Sequence, residues 1–160
     1  MLSASADADI LFPPLTLSLL GKQVVDQIYD NLADVGEGLN TVGDAGFTPR
    51  LASSWRWGAD SLTIDFQIDP DARWHDGVPV RAADVERTFR LVKDPAAASP
   101  LSSTLENVDS VSVVDSLTAR VWLRERKPDS FFSATYQSVL TALDWSDQID
   151  SRLLQELGGV

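Results

Sequence analysis

Between residues 62 and 68 apolar and polar side chains alternate without a break. Leu62, Ile64, Phe66 and Ile68 point one way, and Thr63, Asp65 and Gln67 the other. A period of two is what a strand with one buried face requires. A second alternation, interrupted by Asp115-Ser116, predicts a hairpin. Val108, Val111 and Val113 belong to its first strand, and Leu117, Ala119, Val121 and Leu123 to its second. Helical spacing governs two other stretches. Val24, Val25, Ile28, Tyr29 and Leu32 would form one apolar stripe on a helix over 19–32, while Asp26 and Asp30 face elsewhere. Asn31 ends that helix, or it runs on to Asp34. Val85, Phe89 and Val92 predict a helix over 82–92, stopped by Asp94-Pro95. Asp84 and Glu86 in its first turn and Arg90 and Lys93 near its end suit the helix dipole. Tyr29 and Phe89 both read as core.

Turn residues divide these elements. Residues 1–17 read as irregular, with Pro13-Pro14 favouring an extended segment. Glycines 36, 38, 43 and 46, with Asn40, Asp44 and Pro49, make 36–50 a loop. Residues 51–55 turn into a strand. Asp69-Pro70-Asp71 is a turn, and Asp76-Gly77 a tight one. The Ala-, Ser- and Pro-rich run 94–104 is a loop. Pro128 opens a short helix reaching Tyr136, with Phe131 and Phe132 within it. Residues 147–157 suit a last helix that Gly158-Gly159 would cap or fray.

Apolar residues form 44% of the 160, enough for one core, which argues for a single domain or one lobe of a larger protein. The 24 acidic residues outnumber the 13 basic ones. That balance excludes nucleic acid as a partner, because phosphate binding needs clustered cations. Arg120, Arg124, Arg126 and Lys127 form the densest basic stretch and read as a solvated strand end. The absence of cysteine excludes disulfides, thiolate metal sites and a cysteine nucleophile. No apolar run approaches the ~20 residues of a membrane span. The first nine residues have neither the basic flank nor the apolar stretch of a signal peptide.

Little of the chain suggests catalysis. His75 and Asp76 are adjacent, but no nucleophile is placed within reach of them by sequence. The structural reading is that Trp74 packs in a core, Asp76-Gly77 turns, and His75 makes a local hydrogen bond. One histidine and no cysteine suit a soft metal poorly. Asp69 and Asp71 have no accompanying calcium-loop pattern. Trp55 and Trp57 are candidates to stack on a sugar or a peptide side chain; the structural alternative makes Trp55 core and Trp57 a surface cover. No phosphate-binding loop is present.

Four motifs, taken in order, resemble the family 5 extracellular solute-binding proteins, the binding proteins of peptide, nickel and oligosaccharide ABC importers. Val25-Asp26-Gln27-Ile28-Tyr29-Asp30-Asn31-Leu32 is similar to that family's early helix. Pro49-Arg50-Leu51-Ala52-Ser53-Ser54-Trp55 is similar to its P-x-L-A-x-S-W segment. The strand over 62–68, followed by Trp74-His75-Asp76-Gly77-Val78-Pro79-Val80, resembles its W/F-H-D-G-x-P turn. Ala82-Ala83-Asp84-Val85-Glu86-Arg87-Thr88-Phe89 resembles the helix after it. The likeness extends over about residues 19–135. It departs at Arg81, where the family's Thr or Ser would cap the helix. It departs also at Pro70-Asp71 and from about Thr141 onward.

The resemblance implies an α/β fold with a mixed sheet, as part of the first lobe of a type II periplasmic-binding-protein-like fold. The lobe would occupy 19–140, after an irregular segment over 1–18 and before a tail over 141–160 that suits a helix. It implies an extracytoplasmic protein that is no enzyme and needs no cofactor. Such a protein hands a peptide or other small solute to an ABC importer permease by closing two lobes on it, and ATP is hydrolysed by other subunits. The loop just before the first helix lies at the family's cleft. Here that is Leu19, Leu20 and Gly21, the expected ligand-binding residues, with Gly21 allowing close backbone approach or simply letting the helix begin. Family members run to several hundred residues, so this chain would carry the front part of one lobe. Two rival readings are an interaction module that self-associates through exposed sheet edges, and a hydrolase using Asp76 and His75.

Overall fold

The computed structural model describes residues 13–16, 18–135 and 139. Its centre is a four-stranded antiparallel sheet in the order β3-β4-β6-β5, formed by β3 (Ala52–Trp57), β4 (Thr63–Ile68), β5 (Val108–Val113) and β6 (Thr118–Leu123). The alternating stretch becomes β4. Ile64, Phe66 and Ile68 are fully buried on its inner face, while Asp65 and Gln67 face outward. The predicted hairpin is β5–β6, in register from Val113↔Ala119 to Ser110↔Trp122. Asp115 shapes its turn, the carboxylate accepting N–H bonds from Leu117 and Thr118 at 2.9 Å each.

Helix α2 (Ala82–Lys93) links β4 to β5. Strand β6 lies between those two, so β4–α2–β5 is a split βαβ unit. Val85, Phe89 and Val92 bury the predicted stripe of α2 on the sheet. Arg81 makes no side-chain cap. Asp84 supplies part of the loss, its carboxylate accepting the Arg81 backbone N–H at 2.9 Å. Helix α3 (Ser130–Thr135) closes one end of the core with fully buried Phe131.

Several expectations change in the structure. The α/β character is present, but every strand pair among the described residues is antiparallel, and the parallel pairing of a mixed sheet is not among them. Helix α1 spans Leu19–Ile28 and does not continue to Leu32. Tyr29 turns extended, at φ −118° and ψ 142°. Asn31 and Leu32 instead accept backbone bonds from Leu51 and Ala52. Sheet-like pairing thus takes residues that local periodicity gave to the helix. Val25 and Leu32 are buried, whereas Ile28 is exposed and Tyr29 half-buried.

The expected loop over 36–50 contains half of a small hairpin, β1 (Ala33–Val35) paired with β2 (Phe47–Pro49). Pro13–Leu15 forms a 3-10 turn and not an extended segment. A short 3-10 turn demands few backbone donors, so proline fits at its start. The Ser99 hydroxyl donates to the Pro14 carbonyl and ties this turn to the segment after α2. The loop 94–104 likewise holds 3-10 turns at Pro95–Ala97 and Pro100–Leu105. The proposed helix over 147–157 lies outside the described residues.

Candidate functional site

The three expected ligand-binding residues form the first turn of α1 itself. Ser18 caps that turn, its hydroxyl accepting the Gly21 N–H at 2.9 Å. Leu19 stands outward at 75% exposure, Leu20 is half-buried and Gly21 is buried. Proximity in sequence brings the three together, and the turn presents Leu19 to whatever faces this end of the helix.

The Trp-His-Asp-Gly segment is a turn. Gly77 donates to the Trp74 carbonyl at 2.9 Å and adopts φ +86°, while Trp74 donates to Val78 at 2.8 Å. The Asp76 carboxylate accepts the Val78 N–H. Trp74 packs against the core, as expected. His75 is exposed and makes no hydrogen bond to any described residue, contrary to the local bond expected of it. The pair projects from a tight turn, so its neighbours are solvent and local backbone. Among the described residues no three potential metal ligands stand together.

Trp55 and Trp57 are both half-buried, with ring centroids 4.9 Å and 6.3 Å from that of Phe131. Phe47 and Phe66 meet the same ring at 4.7 Å and 5.6 Å. Phe131 is therefore the hub of an aromatic cluster joining β2, β3, β4 and α3. The Trp55 indole N–H donates to Asp44, fixing the preceding loop to the cluster. Arg126 lies over the outer face of Trp57, with its guanidinium carbon 5.8 Å from the centroid. Both indoles are thus spent on packing, and Trp57 is the surface cover expected of it.

Sequence reasoning missed the outward face of the sheet. Asp65 and Arg120 sit opposite one another on β4 and β6 and form a bidentate pair at 2.6 Å and 2.8 Å. Hydrogen bonding to Arg120 holds the Asp65 carboxyl below the ordinary carboxylate range, against the opposing effect of partial burial. Gln67 and Thr118 bond one row away at 3.1 Å. Trp122, 39% exposed, donates its indole N–H to Ser112. Only the sheet register assembles these residues; the sole signal in the sequence was their shared outward position. The depression above Asp65, Gln67, Thr118 and Arg120 has a volume of about 450 Å³ and walls of mixed polarity, with Trp55 and Val114 among them.

A second missed feature holds the 124–130 segment. Buried Asn107 donates to the Glu125 carbonyl and the Ser130 hydroxyl at 3.0 Å and 2.9 Å, and accepts the Glu125 N–H. Ser130 in turn accepts the Lys127 N–H at 2.8 Å. This latch sets where α3 begins and therefore where Phe131 enters the core.

Among the described residues, then, a helix packs on an antiparallel sheet beside an aromatic cluster centred on Phe131. Residues 46–152 match the model of the bacterial extracellular solute-binding proteins, family 5 (middle). The chain belongs to that family. It is 40% identical over 70 residues to the periplasmic oligopeptide-binding protein OppA of Haemophilus influenzae, covering 43% of this chain and 13% of OppA. It is 28% identical over 122 residues to YejA of Escherichia coli (strain K12), covering 76% of this chain and 19% of YejA. Among solved structures, MoaA of A. tumefaciens R10 in complex with mannopinic acid superposes with a TM-score of 0.75 at 25% identity, covering 86% of this chain and 28% of MoaA. The chain thus spans at most about a fifth of the length of these two curated relatives and 28% of MoaA. Its fold is that of a partial lobe of a family 5 binding protein.

Proposed function

We propose that this chain is scaffold from the first lobe of an extracytoplasmic substrate-binding protein that captures peptides or similar solutes for an ABC importer. The observation that carries the proposal is the agreement of the fold with MoaA over 86% of the chain, joined to a family match across residues 46–152. OppA's name supports peptide as the solute class. In this reading the chain catalyses nothing. The aromatic hub and the Asn107 latch keep the lobe stiff, so that closure moves it as one body against a second lobe. The closed pair would then dock on the permease. Leu19, Leu20 and Gly21 would meet the ligand at the cleft, where the exposed start of α1 offers an apolar side chain.

A chimera tests this. The part of Haemophilus influenzae OppA that corresponds to residues 19–135 is replaced by those residues of this chain, and peptide affinity is measured by calorimetry. Affinity within about tenfold of the parent is expected, a change of about 1.4 kcal/mol. Leu19→Asp in the chimera should weaken binding without lowering the melting temperature. A folded chimera that binds no peptide refutes the scaffold role, and unchanged affinity with Leu19→Asp refutes the site. By itself the 160-residue chain should bind a di- to pentapeptide library only weakly, because it spans 28% of a binding protein such as MoaA. Micromolar or tighter binding would show it to be self-sufficient.

A further inference from the structure

Helix α1 is held at its two ends more than along its length. Gly21 and Val25 are buried, but no described strand or helix packs extensively against α1. Just beyond its C-terminal end, the Asp30 carboxylate pairs with Arg50 at 2.6 Å, and the carbonyls of Asn31 and Leu32 accept Leu51 and Ala52. The other end follows from the Pro13–Leu15 turn through a short linker. Pro13 and Pro14 are buried, yet neither carries an N–H, so no backbone ladder can fasten the segment through them. A side chain from 85 residues further on reaches it instead. The Ser99 hydroxyl donates to the Pro14 carbonyl at 2.5 Å.

Ser99 is itself firmly placed. It is 4% exposed. Its oxygen also accepts the Leu101 N–H at 3.2 Å, which caps the Pro100–Leu105 turn. That turn packs on α2 and α3 and fully buries Leu105. The Pro13–Leu15 turn packs on it in its turn. Ala98, just before Ser99, takes the left-handed conformation at φ +46°, which a residue with a Cβ adopts only at a cost. The strain falls where the Pro95–Ala97 turn ends and the Pro100–Leu105 turn begins, the point that sets Ser99. One hydroxyl thus joins a core-anchored turn to the segment that leads into α1.

We propose, on the reading that the first turn of α1 meets the ligand, that Ser99 is a positioning residue for that site. By holding the Pro14 carbonyl it sets where Ser18, Leu19, Leu20 and Gly21 stand relative to the sheet. The physical reason is that α1 has 10 residues, and a helix so short is marginal in water without tertiary support. Releasing one end should both shift and fray the first turn. The Gly21 and Lys22 amides, which donate to the Ser18 hydroxyl and carbonyl at 2.9 Å each, report that turn directly.

The test is amide hydrogen exchange on the 160-residue chain. In Ser99→Ala the Gly21 and Lys22 amides should exchange about three- to tenfold faster, the worth of one hydrogen bond. Were Ser99 to serve only general stability, the β4 amides would accelerate and those two would not. Ser99→Thr keeps the hydroxyl and should restore the parent rates. Ser99→Cys, a weaker donor in the same place, should fall between, and stands in if the alanine variant does not fold. A second arm extends the OppA chimera back to residue 13, where Ser99→Ala should weaken peptide binding by about three- to tenfold and Ser99→Thr should restore it. Gly21 and Lys22 rates that do not rise in Ser99→Ala, or an affinity that stays unchanged while Leu19→Asp lowers it, would overturn the proposal. If neither substitution alters affinity, the α1 reading fails, and the exchange rates alone decide whether Ser99 holds the helix.

Discussion

Truncating Phe131 to alanine should strike the fold at its most connected point. The ring is fully buried and meets Phe47, Trp55, Trp57 and Phe66 with centroids 4.7–6.3 Å away. A buried phenylalanine removes about 150–250 Å² from water, which at ~25 cal/mol per Å² amounts to roughly 4–6 kcal/mol. Alanine retains part of that burial, and core Phe→Ala changes cost about 3–5 kcal/mol once the residual cavity is included. A domain of this size has only about 5–15 kcal/mol of stability, so the loss should be large and visible. Its neighbour supplies the internal control. Phe132 is half-buried against the same core, and Phe132→Ala should cost less than ~2 kcal/mol. Urea denaturation followed by tryptophan fluorescence reads both, since Trp55 and Trp57 report directly on the missing ring. A Phe131→Ala cost below ~1 kcal/mol, or below that of Phe132→Ala, would refute the hub.

Three further outcomes follow from the same geometry. Asp65→Asn should cost about 1 kcal/mol near neutral pH by breaking the bidentate pair with Arg120. The folded carboxyl titrates below its unfolded value of ~3.9, so this stabilisation is complete above that value and fades as pH falls through the folded one. Urea midpoints for both proteins should therefore converge in acid, and a gap that stays constant contradicts the pairing. Asn107→Ala should cost about 1–2 kcal/mol, because the buried bond to Ser130 and the partly buried bonds to the Glu125 backbone are lost; thermal melts read this, and a loss under ~0.5 kcal/mol would remove the latch. Gly77→Ala should cost about 1–2 kcal/mol from its positive φ alone, since no atom within 4 Å would obstruct the new methyl; an unchanged melting temperature would show that the turn relaxes.

The sequence by itself determined the elements whose side chains alternate or recur strongly. β4, the β5–β6 hairpin and α2 are written in local spacing, because each must bury one face and only one period does so. The Asp76-Gly77 turn was equally legible, since glycine tolerates the positive φ that the turn demands. The end of α1 was not. Asn31 and Leu32 continue the helical stripe, and only the approach of Leu51 and Ala52, twenty residues on, offers their carbonyls a competing partner. The β1–β2 hairpin lay hidden among glycines for the same reason, as strands of three residues carry too few positions to declare a period. The remaining features needed register. Asp65 meets Arg120 across 55 residues of sequence, and Asn107 meets Ser130 across 23. Hydrogen bonds and ion pairs act over a few ångströms in space, so their partners are fixed only once the chain has folded.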